Sequence, residues 1–349
     1  MLGIELHERA LASAAATRWA EAEGDAWQSL EWFAREDGPD SPDVANLSNL
    51  LAEIAEAQAQ YGVAEMHSRR ACGIMARLGE RCIGEAADGI RVEARLRLGL
   101  ALCGGGRYRE AQGWLEQALA LAERTGFGLP AALNNLAVLS KCTADFTPTE
   151  LLYRRGLRLV PPDSFEAATL HHNLGGLAHA QGRFASGEAD ARRAWEIRRS
   201  VLGENHPDTL ADACAYAALL EHLGAGDWSE RVYRHAAAVY EQVFGPEHLE
   251  IAMTLHNLAG LLANRGAADE ADALYRRAAA IKEKRLGAVH PDTALTWHNH
   301  ASLLAEIGRS DEARHLACRA LEVLEVELPG EHPWLAASRE LWAFLRPNM

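Results

Sequence analysis

Between Ile251 and Arg285 apolar side chains recur three and four residues apart. Leu255, Leu258, Leu261 and Leu262 form one set; beyond Gly266, Ala271, Leu274, Tyr275, Ala278 and Ile281 form another. Such spacing gathers each set on one helix face. The segment therefore predicts two amphipathic helices, A and B, joined by a short turn at Gly266. Leu286-Gly287 ends helix B, since glycine suits a helix C-terminus. His290-Pro291-Asp292-Thr293 then opens the next helix A. Proline fits the first helical position because its missing N–H would have no partner there, and Asp292 places negative charge at the positive end of the helix dipole.

The unit repeats. His206, His248, His290 and His332 stand 42 residues apart, as do Gly182, Gly224, Gly266 and Gly308 and Ala194, Ala236, Ala278 and Ala320. A fixed period of this size is the signature of a solenoid, whose units stack in a row and present an extended surface. Two further columns are small: Gly175, Ala217, Ala259 and Ala301 before the turn, and Gly187, Ser229, Ala271 and Ala313 after it. Bulk at these points would push neighbouring helices beyond the ~8–10 Å packing distance.

The small-residue columns resemble tetratricopeptide repeats. Leu255-His256-Asn257-Leu258-Ala259, Tyr275-Arg276-Arg277-Ala278, Leu286-Gly287 and His290-Pro291-Asp292-Thr293 are similar to the kinesin-light-chain type of that family, and the likeness covers residues 168–334. It implies an all-α fold: a right-handed α-solenoid superhelix of antiparallel helix pairs. Looser units precede. Leu98-Gly99, Gly106-Arg107-Tyr108, Ala111 and Ala118 mark one, Leu136-Ala137 with Arg154-Arg155-Gly156 another, and Leu51-Ala52, Tyr61, Ala64 and Arg69-Arg70-Ala71 a third. The expected organisation is an N-terminal helical cap or degenerate repeat over 1–43, with Gly24-Asp25-Ala26 inside it. An array of about seven pairs over 44–334 and a C-terminal capping helix over 335–349 follow. Asp37–Asp43 and Val160–Asp163 read as loops between repeats. Trp19, Trp27, Trp32 and Phe33 are expected to close one end of the array, and Trp334 and Trp342 the other.

Charge narrows the partners. The formal net charge of −14 disfavours nucleic acid and anionic membranes. No stretch approaches the ~18 apolar residues that span a bilayer, and Glu5, His7, Glu8 and Arg9 interrupt any secretory core. The expectation is a cytoplasmic protein. Cys72, Cys82, Cys103, Cys142, Cys214 and Cys318 form no C-x-x-C pair and read as small apolar residues.

Helix A carries the candidate binding residues, because A helices line the concave face of such arrays. Asn135, Asn173, Asn257 and Asn299 share one position, broken by Ala215. The preceding position holds Asn134, His172, Cys214, His256 and His298, and one turn beyond come Val138, Gly176, Ala218, Gly260 and Ser302. An amide side chain pairs with both a peptide N–H and a C=O, and small neighbours let a ligand backbone approach. In the resembled family, asparagines at this position hold a bound peptide's backbone, which implies that role for Asn135, Asn173, Asn257 and Asn299, with His172, His256 and His298 beside them. The competing reading makes the asparagines bonds between helices.

No metal is expected. His172 and His179 lie about 10 Å apart along their helix, whereas zinc needs donors at ~2 Å. No G-x-S-x-G, H-E-x-x-H or P-loop is present, and no base is legible beside Cys214. Glu221 and Glu306 sit too far apart for a carboxylate dyad. The sequence therefore points to a non-enzymatic adaptor or scaffold, without cofactor, that binds an extended protein or peptide segment, with homo-oligomerisation left open. A regulator switched by a signalling peptide and an accessory biosynthetic enzyme using the groove as a reaction chamber are the alternatives.

Overall fold

A computed structural model describes residues 2–346 of the chain. The last positions of the expected capping segment, 347–349, lie outside the described residues. Seventeen α-helices and a 3-10 turn at Gly79–Arg81 make up the described fold, with no strand among these residues. They fall into two compact units, one reaching Leu139 and the other starting at Ser140.

In the first unit, α1 (Leu2–Ala15) packs on α2 (Trp19–Glu36), α3 (Pro42–Ala57) on α4 (Tyr61–Leu78), and α5 (Glu85–Gly104) on α6 (Tyr108–Thr125). The helix α7 (Leu129–Cys142) crosses the unit boundary. In the second unit α8 (Phe146–Leu157) leads into four packed pairs. These are α9 (Phe165–Ala180) with α10 (Phe184–Leu202), α11 (Pro207–His222) with α12 (Gly226–Phe244), α13 (Leu249–Asn264) with α14 (Ala268–Arg285), and α15 (Pro291–Glu306) with α16 (Ser310–Glu327). The final helix, α17 (Pro333–Leu345), packs on α16. Each unit is thus an all-α solenoid of helix hairpins.

The small columns sit where the hairpins close. Ala217, Ala259, Ala301, Ser229, Ala271, Ala313, Ala194, Ala236, Ala278 and Ala320 all have no exposed surface. A β-carbon added at Gly187 would stand 2.5 Å from that of Ala178, and one at Gly175 would stand 2.9 Å from that of Ala191. No side chain tolerates such distances without moving a helix.

One turn geometry recurs in every hairpin. The residue two places before helix B has a positive φ: Thr17, Ala59, Gly106, Ala144, Gly182, Gly224, Gly266 and Gly308. Glycine adopts that backbone freely, while Thr17, Ala59 and Ala144 hold it against their β-carbons. The first hairpin therefore turns at Thr17, and Gly24-Asp25-Ala26 lies inside α2. The tryptophans near the start are one layer inside the end of the array. Trp32 packs edge-on to Phe33, with ring centroids 4.9 Å apart, and Gly3 of α1 sits over its ring. The outermost apolar side chains are Leu2, Ile4 and Leu11 of α1, all exposed.

The histidine of each His-Pro or His-Leu turn caps the helix it precedes. Nδ1 accepts the backbone N–H two residues on, from Asp208 at His206 (3.2 Å), Glu250 at His248 (3.3 Å), Asp292 at His290 (3.1 Å) and Trp334 at His332 (3.1 Å). This satisfies one of the orphan donors of the first turn. Ala144→Gly should stabilise the fold by about 1 kcal/mol, because glycine removes the left-handed strain. Urea unfolding measures it, and a midpoint at or below the parent's would contradict the strain argument.

Candidate functional site on the A-helix wall

Within the second unit the A helices α9, α11, α13, α15 and α17 touch in sequence, each meeting the next. The B helices behind them are joined by long charged pairs, such as Arg234–Glu270 at 2.7 Å, Arg276–Glu312 at 3.2 Å and Arg319–Glu283 at 3.1 Å. Helices that crowd lie on the inside of a curve, so the A helices form the inner wall.

A polar stitch joins each A helix of this wall to the next. His172 Nδ1 meets Asp212 Oδ1 at 2.7 Å, His256 Nδ1 meets Thr296 Oγ1 at 3.1 Å, and His298 Nδ1 meets Ser338 Oγ at 3.0 Å. The two residues of each pair are 40 apart in sequence. Cys214 takes the same place by hydrogen-bonding Thr254, also 40 residues on. Asp212 is fully buried and is held by Arg198 Nη1 at 2.5 Å. Arg198 in turn donates to Thr169 Oγ1 at 2.7 Å and stacks over Phe165 at 4.7 Å.

His256 is the most fully engaged. The Thr296 hydroxyl donates to the Asp292 carbonyl at 3.1 Å, so it accepts from His256 Nδ1–H. His256 Nε2 then accepts from Asn299 Nδ2 at 3.0 Å. That ring must be neutral, because a proton on Nε2 would face a donor. Burial holds its pKa well below the usual histidine value, and the fields of Lys282 and His298 act the same way.

The asparagines divide. Asn135, in the first unit, is 6% exposed and its Oδ1 accepts from Asn134 Nδ2 at 3.0 Å. Asn173 is 9% exposed. Asn299 is half-buried and spends its amide N–H on His256. Asn257 is half-buried too, and its side chain has no hydrogen bond among the described residues. Beside it stand half-buried Gly260, one turn along, and Met253, 46% exposed one turn before.

The sequence pattern of the tetratricopeptide repeat matches residues 92–125, 168–208, 213–284 and 250–325. This chain belongs to the tetratricopeptide repeat family. Similar solved structures include a Rap protein complexed with competence and sporulation factor, 12% identical over 98% of this chain and 97% of that one, TM-score 0.63. NprR in complex with its cognate peptide NprX is 10% identical over 98% and 96%, TM-score 0.58. A Podosopora anserina chain with nearly identical TPR-like repeats, described as a kinesin light chain, is 19% identical over 67% and 94%, TM-score 0.38. No curated protein gives a significant match.

Two carboxyls on the wall of this tetratricopeptide repeat array lack an arginine or lysine partner among the described residues. Burial pushes Glu221 up to about 7, against a long contact of 3.5 Å from the Tyr233 hydroxyl. Burial also raises Glu250; the charge of His172 opposes this, and that of Asp208 adds to it. His172 of α9 and Glu250 of α13 are therefore close enough to feel each other across two repeats. Cys214 is buried and its thiol is pushed up to about 12, which leaves it protonated and unreactive. No group of His, Cys, Asp and Glu among the described residues is arranged to hold a metal ion, and no helix is long and apolar enough to cross a membrane.

Sequence reasoning missed the stitches. Their signal was a polar column, Asp212, Thr254, Thr296 and Ser338, on an otherwise apolar face at the 42-residue period. For Glu221 the sign of the pH effect follows from its raised pKa. The folded chain keeps a proton that the unfolded chain, with a carboxyl near 4.5, releases. Stability is therefore lost as pH rises from about 4.5 to about 7. Glu221→Gln should add about 1–3 kcal/mol at pH 8 and nothing at pH 4. Chemical denaturation at both pH values tests this, and an equal effect at each would contradict it.

Proposed function

We propose that this chain is a non-enzymatic adaptor that holds an extended protein or peptide segment along the A-helix wall of its second unit. The observation that carries the reading is Asn257. An amide held on the wall with no hydrogen-bond partner among the described residues, next to a glycine that leaves space, is poised to pair with the N–H and C=O of a guest backbone. The full-length likeness to NprR with its cognate peptide supports the same reading. Glu221 and Glu250 favour a guest with a basic side chain, in keeping with a net charge of −14.

A second reading shares this wall: a regulator whose shape responds to a small peptide. It is favoured by the fact that the Rap and NprR structures, matched over 97% and 96% of their length, were solved as complexes. A radius of gyration that changes on adding the partner segment separates this regulator from a passive scaffold.

Asn257 and Asn299 should behave differently on substitution. Partners captured from the host and reduced to their binding segments should bind Asn257→Ala about five- to tenfold more weakly, with an unchanged thermal midpoint. Asn299→Ala should lower the midpoint, because it strips His256 of its donor. Parental affinity in Asn257→Ala would remove the ground for the adaptor reading.

A further inference from the structure

His332 makes a contact that no repeat-to-repeat packing requires. It caps α17 through Nδ1, which accepts from the Trp334 N–H at 3.1 Å. That fixes the ring proton on Nε2, and Nε2 donates to the carbonyl oxygen of Cys142 at 3.2 Å. The two residues are 190 positions apart. Cys142 is the last residue of α7, so its carbonyl is one of the orphan acceptors at a helix C-terminus. His332 is 5% exposed, so the bond is shielded from water. A second sign of the same closure comes from α15. Burial pushes the Cys142 thiol up to about 11; the charge of Lys141 opposes this and that of Asp292 adds to it. The end of α7 therefore meets the N-terminal cap of α17 and lies within the field of Asp292 at the start of α15.

We propose that His332 and the Cys142 carbonyl form a latch that closes the second unit on itself across one turn of its winding. Four A helices, α9, α11, α13 and α15, lie along the chain between the two halves of the latch. With the latch shut, the flank of the inner wall is bridged at His332 and Cys142. An extended segment gains the wall sideways only when the latch opens. A single hydrogen bond contributes about 1 kcal/mol net, so the latch opens readily and modest contacts with a guest can shift it. The role in admission rests on the adaptor reading. The latch itself does not, and its test contains no ligand, so each can fail without the other.

The test uses the chain's own thiols. His332→Asn keeps a side-chain oxygen to cap α17 and removes the donor to Cys142. Alkylation by N-ethylmaleimide is followed cysteine by cysteine by peptide mass spectrometry. Cys142 should react roughly fivefold faster in the variant, the opening expected from losing one hydrogen bond. Cys72 and Cys318 should keep their parental rates. His206→Asn, the same exchange at a cap outside the latch, should leave all rates unchanged. Circular dichroism checks that α17 stays folded. Should helicity fall, His332→Asp, which caps as strongly, takes the place of the first variant. A parental Cys142 rate in both His332 variants, or an equal acceleration in His206→Asn, overturns the latch.

Discussion

The close approach of helices at side chains with almost no bulk is the constraint on which the rest depends. Where Ala217, Ala259 and Ala301 face Ser229, Ala271 and Ala313, each pair packs with no exposed surface. Identical separations at identical places make every hairpin tilt alike against its neighbour. A regular wall of A helices follows from that regularity, and so does a 40-residue interval between stitched side chains. Overpacking one such site costs ~1–3 kcal/mol, and it also shifts the register that the stitches need.

The wall spends most of its polarity on itself. His172, Cys214, His256 and His298 all pair with the next A helix. Buried polar groups left without partners are costly, so a solenoid with a polar inner face must satisfy those groups internally or offer them to a ligand. Asn257, Glu221 and Glu250 stand apart because no arginine, lysine or side-chain amide among the described residues answers them. On the outer side, arginine and carboxylate ladders between B helices absorb much of the chain's charge. Exposed pairs of this kind contribute little each.

Much of the fold was legible from residue spacing. Small residues in fixed columns and His-Pro before a helix mark hairpins through steric limits that hold locally. The resemblance to tetratricopeptide repeats rests on those same columns. Turns at Thr17, Ala59 and Ala144 were harder to read, because the backbone there is left-handed without the glycine that announces it. The site was less legible than the fold. A helix period shows which face a residue occupies, but not whether its hydrogen bonds end inside the protein. His256 and Asn299 look like two ligand contacts in sequence and are one internal bond in space. Asn257 has the same local sequence as Asn299 and differs because the position 43 residues before it holds Cys214, where Asn299 meets His256.

Hydrogen exchange on the full chain, with and without a segment of a captured partner, tests the account most directly. A guest lying on the A-helix wall predicts slowed exchange in α11, α13 and α15, centred on Met253–Gly260, with α12, α14 and α16 unchanged. Protection confined to those B helices, or spread evenly over both sets, would contradict the account.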